Sequence, residues 1–180
     1  CSKQEVQVQN FKDDIGREIA VKNVKKVMAL SPSMTEYLAL ICPEKIVART
    51  QNCDFPSSIV SKPIINNYPE LDIEGIVRLK PDLILSQKGI TSLAQIAQIE
   101  SFNIPVYICD NNTLERVINT CKIVGELTGK RHRGIEVRDS LKQVFIELKE
   151  KIIPWSKSVM ALVSEAPIYL YGDKTMFGQV

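Results

Sequence analysis

The 180-residue chain is long enough for one domain, or for one domain and part of a second. Hydrophobic residues make up 44% of it and charged residues 24%, and the formal net charge is +2, so the composition excludes a disordered chain and gives no sign of a nucleic-acid-binding surface. No apolar run approaches the roughly 20 residues that a membrane-spanning helix needs.

The first residue is a cysteine, Cys1, and a polar stretch follows it. This start predicts a mature lipoprotein that carries lipid on Cys1, with residues 1–10 as a tether. Two or three acyl chains on one residue give a stable membrane anchor. The alternative is a chain boundary that falls on a cysteine without any such role.

After the tether, the alternating runs VQVQNF and REIAV predict a β-hairpin in which Gly16 supplies the turn conformation. VMAL, Val27 to Leu30, predicts a short buried strand. Ser33 and Glu36 then have the spacing of a capping box, which predicts a helix start and leaves Ser31 to Ser33 as the loop between strand and helix.

The pattern of strands and helices continues to Gly129. The predicted elements are, in order, a strand IVART, an extended piece SKPII, a helix DIEGIVRL capped by Asp72 and ended by Lys80-Pro81, a strand LILS, an amphipathic helix TSLAQIAQIESF with Leu93, Ile96, Ala97 and Phe102 on one face, a strand VYICD, and a helix TLERVINTCKIVGELTG closed by Gly129. Strands that alternate with helices favour parallel pairing, so the predicted fold class is α/β, a parallel sheet with flanking helices.

A long charged helix is predicted from His132 to Ile153. Its apolar stripe consists of Leu141, Val144, Phe145, Leu148 and Ile152. Pro154 ends it, and SVMALVS with IYLYG predicts a strand pair or a bent strand in a new unit. The predicted organisation is therefore a tether (1–10), an amino-terminal α/β lobe (11–130), a connecting helix (131–153) and the beginning of an incomplete second α/β lobe (154–180).

Four further cysteines have no CxxC spacing, which disfavours a zinc site or thioredoxin-like chemistry. Cys109 lies in the apolar run PVYIC and Cys121 on a helical face, where buried free thiols are common. A disulfide between Cys42 and Cys53 stays open, because an oxidising compartment would permit one.

Motifs for catalysis are weak in this sequence. It contains neither a GxxxxGK[ST] nor a GxGxxG loop, and its single histidine, His132, lies in the polar context KRHR. One histidine gives no convincing Ser-His-Asp set, and no His/Cys/Asp cluster has the spacing of metal ligands. We therefore expect neither an enzyme nor a resident cofactor or metal.

Polar side chains with two aromatics follow the predicted strands, where open α/β sheets bind ligands. They are Ser31, Pro32, Ser33, Asn52, Asp54, Phe55, Tyr68, Gln87 and Lys88. The set contains no acid-base pair, so it favours recognition of a ligand. Loops are polar in any protein, and for a single residue other than Tyr68 an ordinary surface role explains the pattern equally well.

In order along the chain, VMALSPSMTEYLAL, NCDFP, YPELDIEGIVRLKPDLIL and IPVYICD resemble the amino-terminal lobe of the helical-backbone periplasmic binding proteins. That family feeds cobalamin, haem and ferric-siderophore ABC importers, and NCDFP is most similar to its cobalamin-type branch. The resemblance implies two α/β lobes joined by one long helix, with the ligand between them. It implies a solute-binding component that captures a corrinoid first, or a haem or ferric siderophore, in the periplasm or cell envelope.

The resemblance also implies roles for single residues. Tyr68 corresponds to an aromatic ligand contact, whereas Asn52 and Gln87 stand where cobalamin binders place aromatic side chains. Glu74 matches the glutamate that docks on arginines of the ABC permease in the inner membrane. A different hypothesis is a truncated homologue that binds a protein partner through its sheet edge or its charged helix.

Overall fold

The computed structural model of the protein describes residues 8–67, 69–151, 162–165 and 168–170. The strands are β1 Val8–Lys12, β2 Glu18–Lys22, β3 Val27–Ala29, β4 Arg49–Thr50, β5 Ile64–Ile65, β6 Leu83–Gln87, β7 Val106–Cys109, β8 Leu162–Glu165 and β9 Ile168–Leu170. The helices are α1 Pro32–Ile41, α2 Ile73–Leu79, α3 Leu93–Glu100, α4 Leu114–Leu127 and α5 Arg131–Lys151.

The central sheet is parallel, and β6 lies between β3 and β7. Val27 is opposite Leu83, and Ile84 is opposite Val106. The parallel pair β4 and β5 lies beside β3, which an isolated bridge between Val27 and Ile46 connects to the segment before β4. The predicted α/β class is confirmed.

Both faces of this sheet are covered, as the short apolar strands predict. Successive strand residues alternate between two cores: Val27, Ala29, Leu83, Leu85, Tyr107 and Cys109 face one, and Met28, Ile84, Val106 and Ile108 face the other. The first core also contains buried residues of α1, α4 and α5, and the second contains those of α2 and α3. The protein is therefore a three-layer α/β arrangement.

The hairpin of β1 and β2 docks on β7 through Arg17. Its guanidinium contacts the fully buried carboxylate of Asp13 at 2.9 Å and the carboxylate of Glu100 at 3.1 Å, and it donates to the carbonyl of Val106 at 2.7 Å. Gly16 has a φ of +90°, which the turn requires and glycine adopts without strain. The hairpin begins at Val8, so residues 8–10 belong to it and not to the predicted tether.

Two details of the predicted helices were wrong. The capping residue of α1 is Ser31, not Ser33, because Pro32 already takes the first helical position, which suits its fixed φ. In α3 only Ile96 of the predicted apolar face is buried, and it packs with Ile99. Leu93, Ala97 and Phe102 are exposed, because Ile96 and Ile99 form the face of α3 that packs in the core.

Helices α4 and α5 touch through two glycines. A Cβ atom on Gly134 would lie 2.6 Å from the carbonyl oxygen of Cys121 and 2.8 Å from Cα of Gly125, and real Cβ atoms are not found so close to backbone. Further along α5, Leu141 and Phe145 of the predicted stripe are half-buried, whereas Val144 and Leu148 are exposed; Ile152 lies outside the described residues.

Beyond α5, β8 and β9 form an antiparallel pair, which confirms the predicted strand pair. In the portions of the chain that the structure describes, no helix has both the length and the apolar character needed to cross a membrane.

The close contact of α4 and α5 predicts the effect of one methyl group. We expect Gly134→Ala to lower the free energy of unfolding by about 1–3 kcal/mol, because the added methyl meets rigid backbone on α4. Ser140→Ala is the matched control: Ser140 is exposed on the same helix, and this change tests the gain in helix propensity alone. Urea denaturation measures both; a Gly134→Ala protein as stable as the control would contradict the close contact.

Candidate functional site

The carboxyl ends of the parallel strands bring three loops to one edge of the sheet. After β3, Ser31 is buried and its Oγ accepts the backbone N–H of Met34 at 3.5 Å, while Pro32 and Ser33 are exposed. Ser33 Oγ donates to Oε1 of Gln87 at 2.8 Å, so the loop after β3 contacts the last residue of β6. Two of the predicted ligand residues therefore lie side by side.

The loop after β4 carries Asn52, Asp54 and Phe55, and all three are exposed, Phe55 by 66%. The buried residue between them is Cys53, whose Sγ lies 3.2 Å from Oγ1 of Thr35 on α1 and 2.9 Å from Oγ1 of Thr50. The thiol thus holds this loop against the start of α1, next to the loop that contains Ser33.

Arg49 gives the same loop its shape. Its side chain is buried, and the guanidinium donates to the carbonyls of Cys53 and Val60, each at 3.2 Å. Both bonds go to the chain on either side of Phe55. The exposed ring of Phe55 is therefore carried by a loop that is held at both ends.

At the third loop, Lys88 belongs to an ion cluster with two residues that the sequence analysis missed, Asp110 and Arg116. Its Nζ lies 3.0 Å from Oδ2 of Asp110, and Nη1 of Arg116 lies 3.4 Å from the same oxygen. The backbone N–H of Asp110 donates to Oδ2 of Asp14 in the hairpin turn at 2.7 Å. One signal was available: Asp110 is the acidic residue that follows the apolar strand VYIC.

Asn67 also lies at this edge and was not predicted. Its Nδ2 donates to the carbonyl of Leu30 at 3.2 Å, while its Oδ1 is buried and has no hydrogen-bond partner among the described residues. Tyr68, the aromatic residue predicted to contact a ligand, lies outside the described residues, as does Cys1.

Glu74 is exposed in the first turn of α2, away from these loops. Asp72 caps the helix by accepting the N–H of Gly75 at 2.8 Å, and Arg78 lies 3.9 Å from Asp72. Arg78, which is four residues after Glu74, thus pairs with the capping residue. Glu74 lies beside a depression of about 500 Å³ whose other lining residues come from residues 70–73 and from Gln95 and Gln98 of α3, and none of them belongs to the loops at the sheet edge.

All four described cysteines are free and buried, so the disulfide left open between Cys42 and Cys53 is absent. Cys53 bonds instead to the two threonine hydroxyls. Burial raises the pKa of the Cys42 thiol to about 11 and that of Cys121 to about 11, and it also raises the pKa of Cys109. At neutral pH these three thiols therefore remain protonated.

The described residues at this edge are polar, apart from Phe55 and Pro32. The edge offers hydroxyls, amides, one ion cluster and an exposed aromatic ring, which together can hydrogen-bond and cover a ligand. His132 is exposed at the start of α5. Within the described parts of the chain, no three His, Cys, Asp or Glu residues come together as metal ligands.

Residues 27–180 match the family model described as periplasmic binding protein. A vitamin B12-binding protein of Vibrio parahaemolyticus is 23% identical over 164 residues, which cover 90% of this chain and 60% of that protein. The ABC transporter substrate-binding lipoprotein YvrC of Bacillus subtilis is 28% identical over 168 residues, which cover 88% of this chain and 53% of that protein. The chain thus spans between about half and 60% of the length of these relatives.

A solved structure from Staphylococcus epidermidis is similar in fold, with a TM-score of 0.76 at 25% identity. The match covers 87% of this chain and 64% of that one. Its description is a possible iron-binding (periplasmic solute-binding) protein.

The buried thiols give a test of the core beneath this site. We expect Cys42, Cys109 and Cys121 to resist iodoacetamide in the folded protein at pH 8, because their raised pKa values keep the reactive thiolate scarce and burial excludes the reagent. Peptide mass mapping measures the labelling, and the protein in urea is the positive control. Rapid labelling of the folded protein, or a peptide pair linked through Cys42 and Cys53, would contradict the structure.

Proposed function

The chain belongs to the periplasmic binding protein family, and from this premise we propose that it supplies the amino-terminal lobe of the solute-binding component of an ABC importer. The proposed component captures a corrinoid or an iron chelate in the cell envelope and delivers it to a membrane permease. It acts by binding alone, without catalysis.

The observation that carries this proposal is the composition of the sheet edge. Ser33 and Gln87 are hydrogen-bonded there, and Lys88 follows Gln87 in sequence. The neighbouring loop carries the exposed ring of Phe55. A wall of polar groups with one aromatic ring suits a flat or globular chelate that presents both apolar faces and hydrogen-bonding substituents. We propose that Ser31, the buried N-cap of α1, keeps these polar side chains in position.

We place a corrinoid first, because relatives named for vitamin B12 support that class. A haem or a ferric siderophore is the alternative, supported by the iron-binding description of the similar structure from Staphylococcus epidermidis. Asn52 and Gln87 bring amides where the resemblance places rings, so Phe55 and Tyr68 are the aromatic contacts that we propose. Asn52, Asp54 and Pro32 complete the proposed contact surface.

The proposed partner is the permease of an ABC transporter, and Glu74 is the residue that we propose to contact it. Glu74 is exposed and makes no ion pair with any described residue, and the depression beside it is lined by none of the proposed ligand residues. An unpaired surface carboxylate is well suited to meet an arginine, which binds it with two parallel hydrogen bonds. We also propose that Cys1 carries the lipid anchor, a role that the lipoprotein relative supports.

Equilibrium titration tests ligand capture. The intact protein, as its gene encodes it, is titrated with cyanocobalamin, haemin and ferric hydroxamate and catecholate chelates, with quenching of Trp155 and tyrosine fluorescence as the signal. We expect one class to bind at micromolar concentration or below and Phe55→Ala to weaken it about tenfold, because about 1–3 kcal/mol of aromatic contact is lost. Phe102→Ala is the matched control, since Phe102 is an exposed phenylalanine between the end of α3 and the amino end of β7, at the opposite edge of the sheet. Binding of no class would end the proposal.

A charge reversal tests the docking role. We expect Glu74→Lys to leave ligand affinity unchanged while abolishing uptake in cells that depend on the importer, because the introduced lysine would repel the arginines of the permease. Glu18→Lys, at an exposed glutamate of β2, is the control for the change in charge. Normal uptake by the Glu74→Lys protein would remove this residue from the interface.

A further inference from the structure

Two cations share one carboxylate oxygen at the edge of the sheet. Lys88 Nζ and Arg116 Nη1 both contact Oδ2 of Asp110, at 3.0 and 3.4 Å. They come from different elements, Lys88 from the end of β6 and Arg116 from the first turn of α4. Because both contacts end on one atom, the ammonium and the guanidinium lie close together despite their like charge.

Exposure is divided unequally within this cluster. The side chain of Asp110 is 9% exposed, whereas that of Lys88 is 56% exposed and that of Arg116 is 47% exposed. The shared carboxylate is thus covered by the protein, while the two cations face the space above the sheet edge. The carboxylate fixes where the cations lie and leaves their outer surfaces open.

Most of the donor capacity of the two cations is unused. An ammonium has three N–H donors and a guanidinium has five, and each contributes one contact to Asp110. Neither side chain makes a hydrogen bond to another described residue. The remaining donors can therefore serve acceptors that approach from solvent, and charged donors form the stronger hydrogen bonds.

Two other carboxylates lie near the cluster. Asp14 accepts the backbone N–H of Asp110 at 2.7 Å, and Glu115 is exposed beside Arg116 on α4. Within the described residues neither forms an ion pair with Lys88 or Arg116. Among the described residues, the two cations therefore have one direct counter-ion, and its side chain is 9% exposed.

We propose that Lys88 and Arg116 form an anion subsite, and that the ligand presents a carboxylate or phosphate to it. This inference rests on the proposed solute-binding function and narrows it: within the chelates considered, those with a peripheral anionic group bind best. Asp110 is the positioning residue, since it holds both cations at the edge without occupying the open face. Ser33 and Gln87, next to the subsite, supply neutral hydrogen bonds to the same ligand.

Chelates that differ in their peripheral anions test the subsite. The probes are haemin against its dimethyl ester, cyanocobalamin monocarboxylic acid against cyanocobalamin, and a ferric tricatecholate against cationic ferrioxamine. We expect the more anionic member to bind at least tenfold tighter in whichever class binds, and the difference to shrink as salt rises, because exposed charges are screened. Titration is carried out on the intact protein at two salt concentrations.

Single variants connect this preference to the two residues. Lys88→Gln and Arg116→Gln each leave one cation on Asp110, so the buried carboxylate keeps a partner and folding is preserved. We expect each to weaken the anionic probe about three- to tenfold and to leave its neutral or cationic counterpart unchanged. Lys22→Gln is the charge-matched control, because Lys22 is exposed on β2, away from the carboxyl edge of the sheet.

The outcomes separate this inference from the function on which it rests. Binding without preference for the anionic member, or a preference that both variants retain, overturns the subsite and leaves solute binding intact. Binding of none of the six probes overturns the proposed function, and the subsite with it. A loss in Lys88→Gln and Arg116→Gln that is equal for both members of a pair shows a general structural role and also overturns the subsite.

Discussion

Pairing of β6 on both of its sides sets the geometry of the whole site. Because β3 and β7 run parallel to it in fixed register, their carboxyl ends stop at one edge, and the chain must leave the sheet there in three adjacent loops. Apolar residues on both faces hold this register, since a slip of one residue would turn each core set to the wrong face. The positions of Ser33, Gln87 and Asp110 at the edge follow from that constraint.

The polar contacts at the edge connect segments that are far apart in sequence. Asp14 in the hairpin turn accepts from Asp110, and Asp110 in turn receives Lys88 and Arg116. Arg17 attaches the same hairpin to β7 through the carbonyl of Val106. The hairpin, which contributes no ligand contact that we propose, thus shapes the site by supporting the residue that positions the two cations.

Sequence alone predicted what depends on local pattern. Apolar runs predicted the parallel strands, Gly16 predicted the hairpin turn, and Asp72 predicted the start of α2. Each of these features depends on only a few neighbouring residues. It also placed Ser33 and Gln87 in the same region, since parallel strands end at a common edge. The roles of Glu74, Tyr68 and Cys1 and the division into lobes remain predictions.

Prediction failed where distant residues compete for one partner. The thiol of Cys53 could pair with Cys42, but threonines from α1 and β4 surround it. In the sequence, Asp110 is predicted only as the end of a strand. Its contacts with Arg116 and Asp14 form only in the folded chain.

The glycine contact between α4 and α5 has a mechanical consequence. From Gly134 to Lys151 the helix extends about 25 Å at its usual rise, so a tilt of about 5° at the crossing displaces its far end by about 2 Å. If a methyl group at residue 134 tilted the helix by this small angle, the far end of α5 would move by a distance comparable with the radius of an atom. The close contact of Gly125 and Gly134 therefore restricts the angle at which α5 crosses α4.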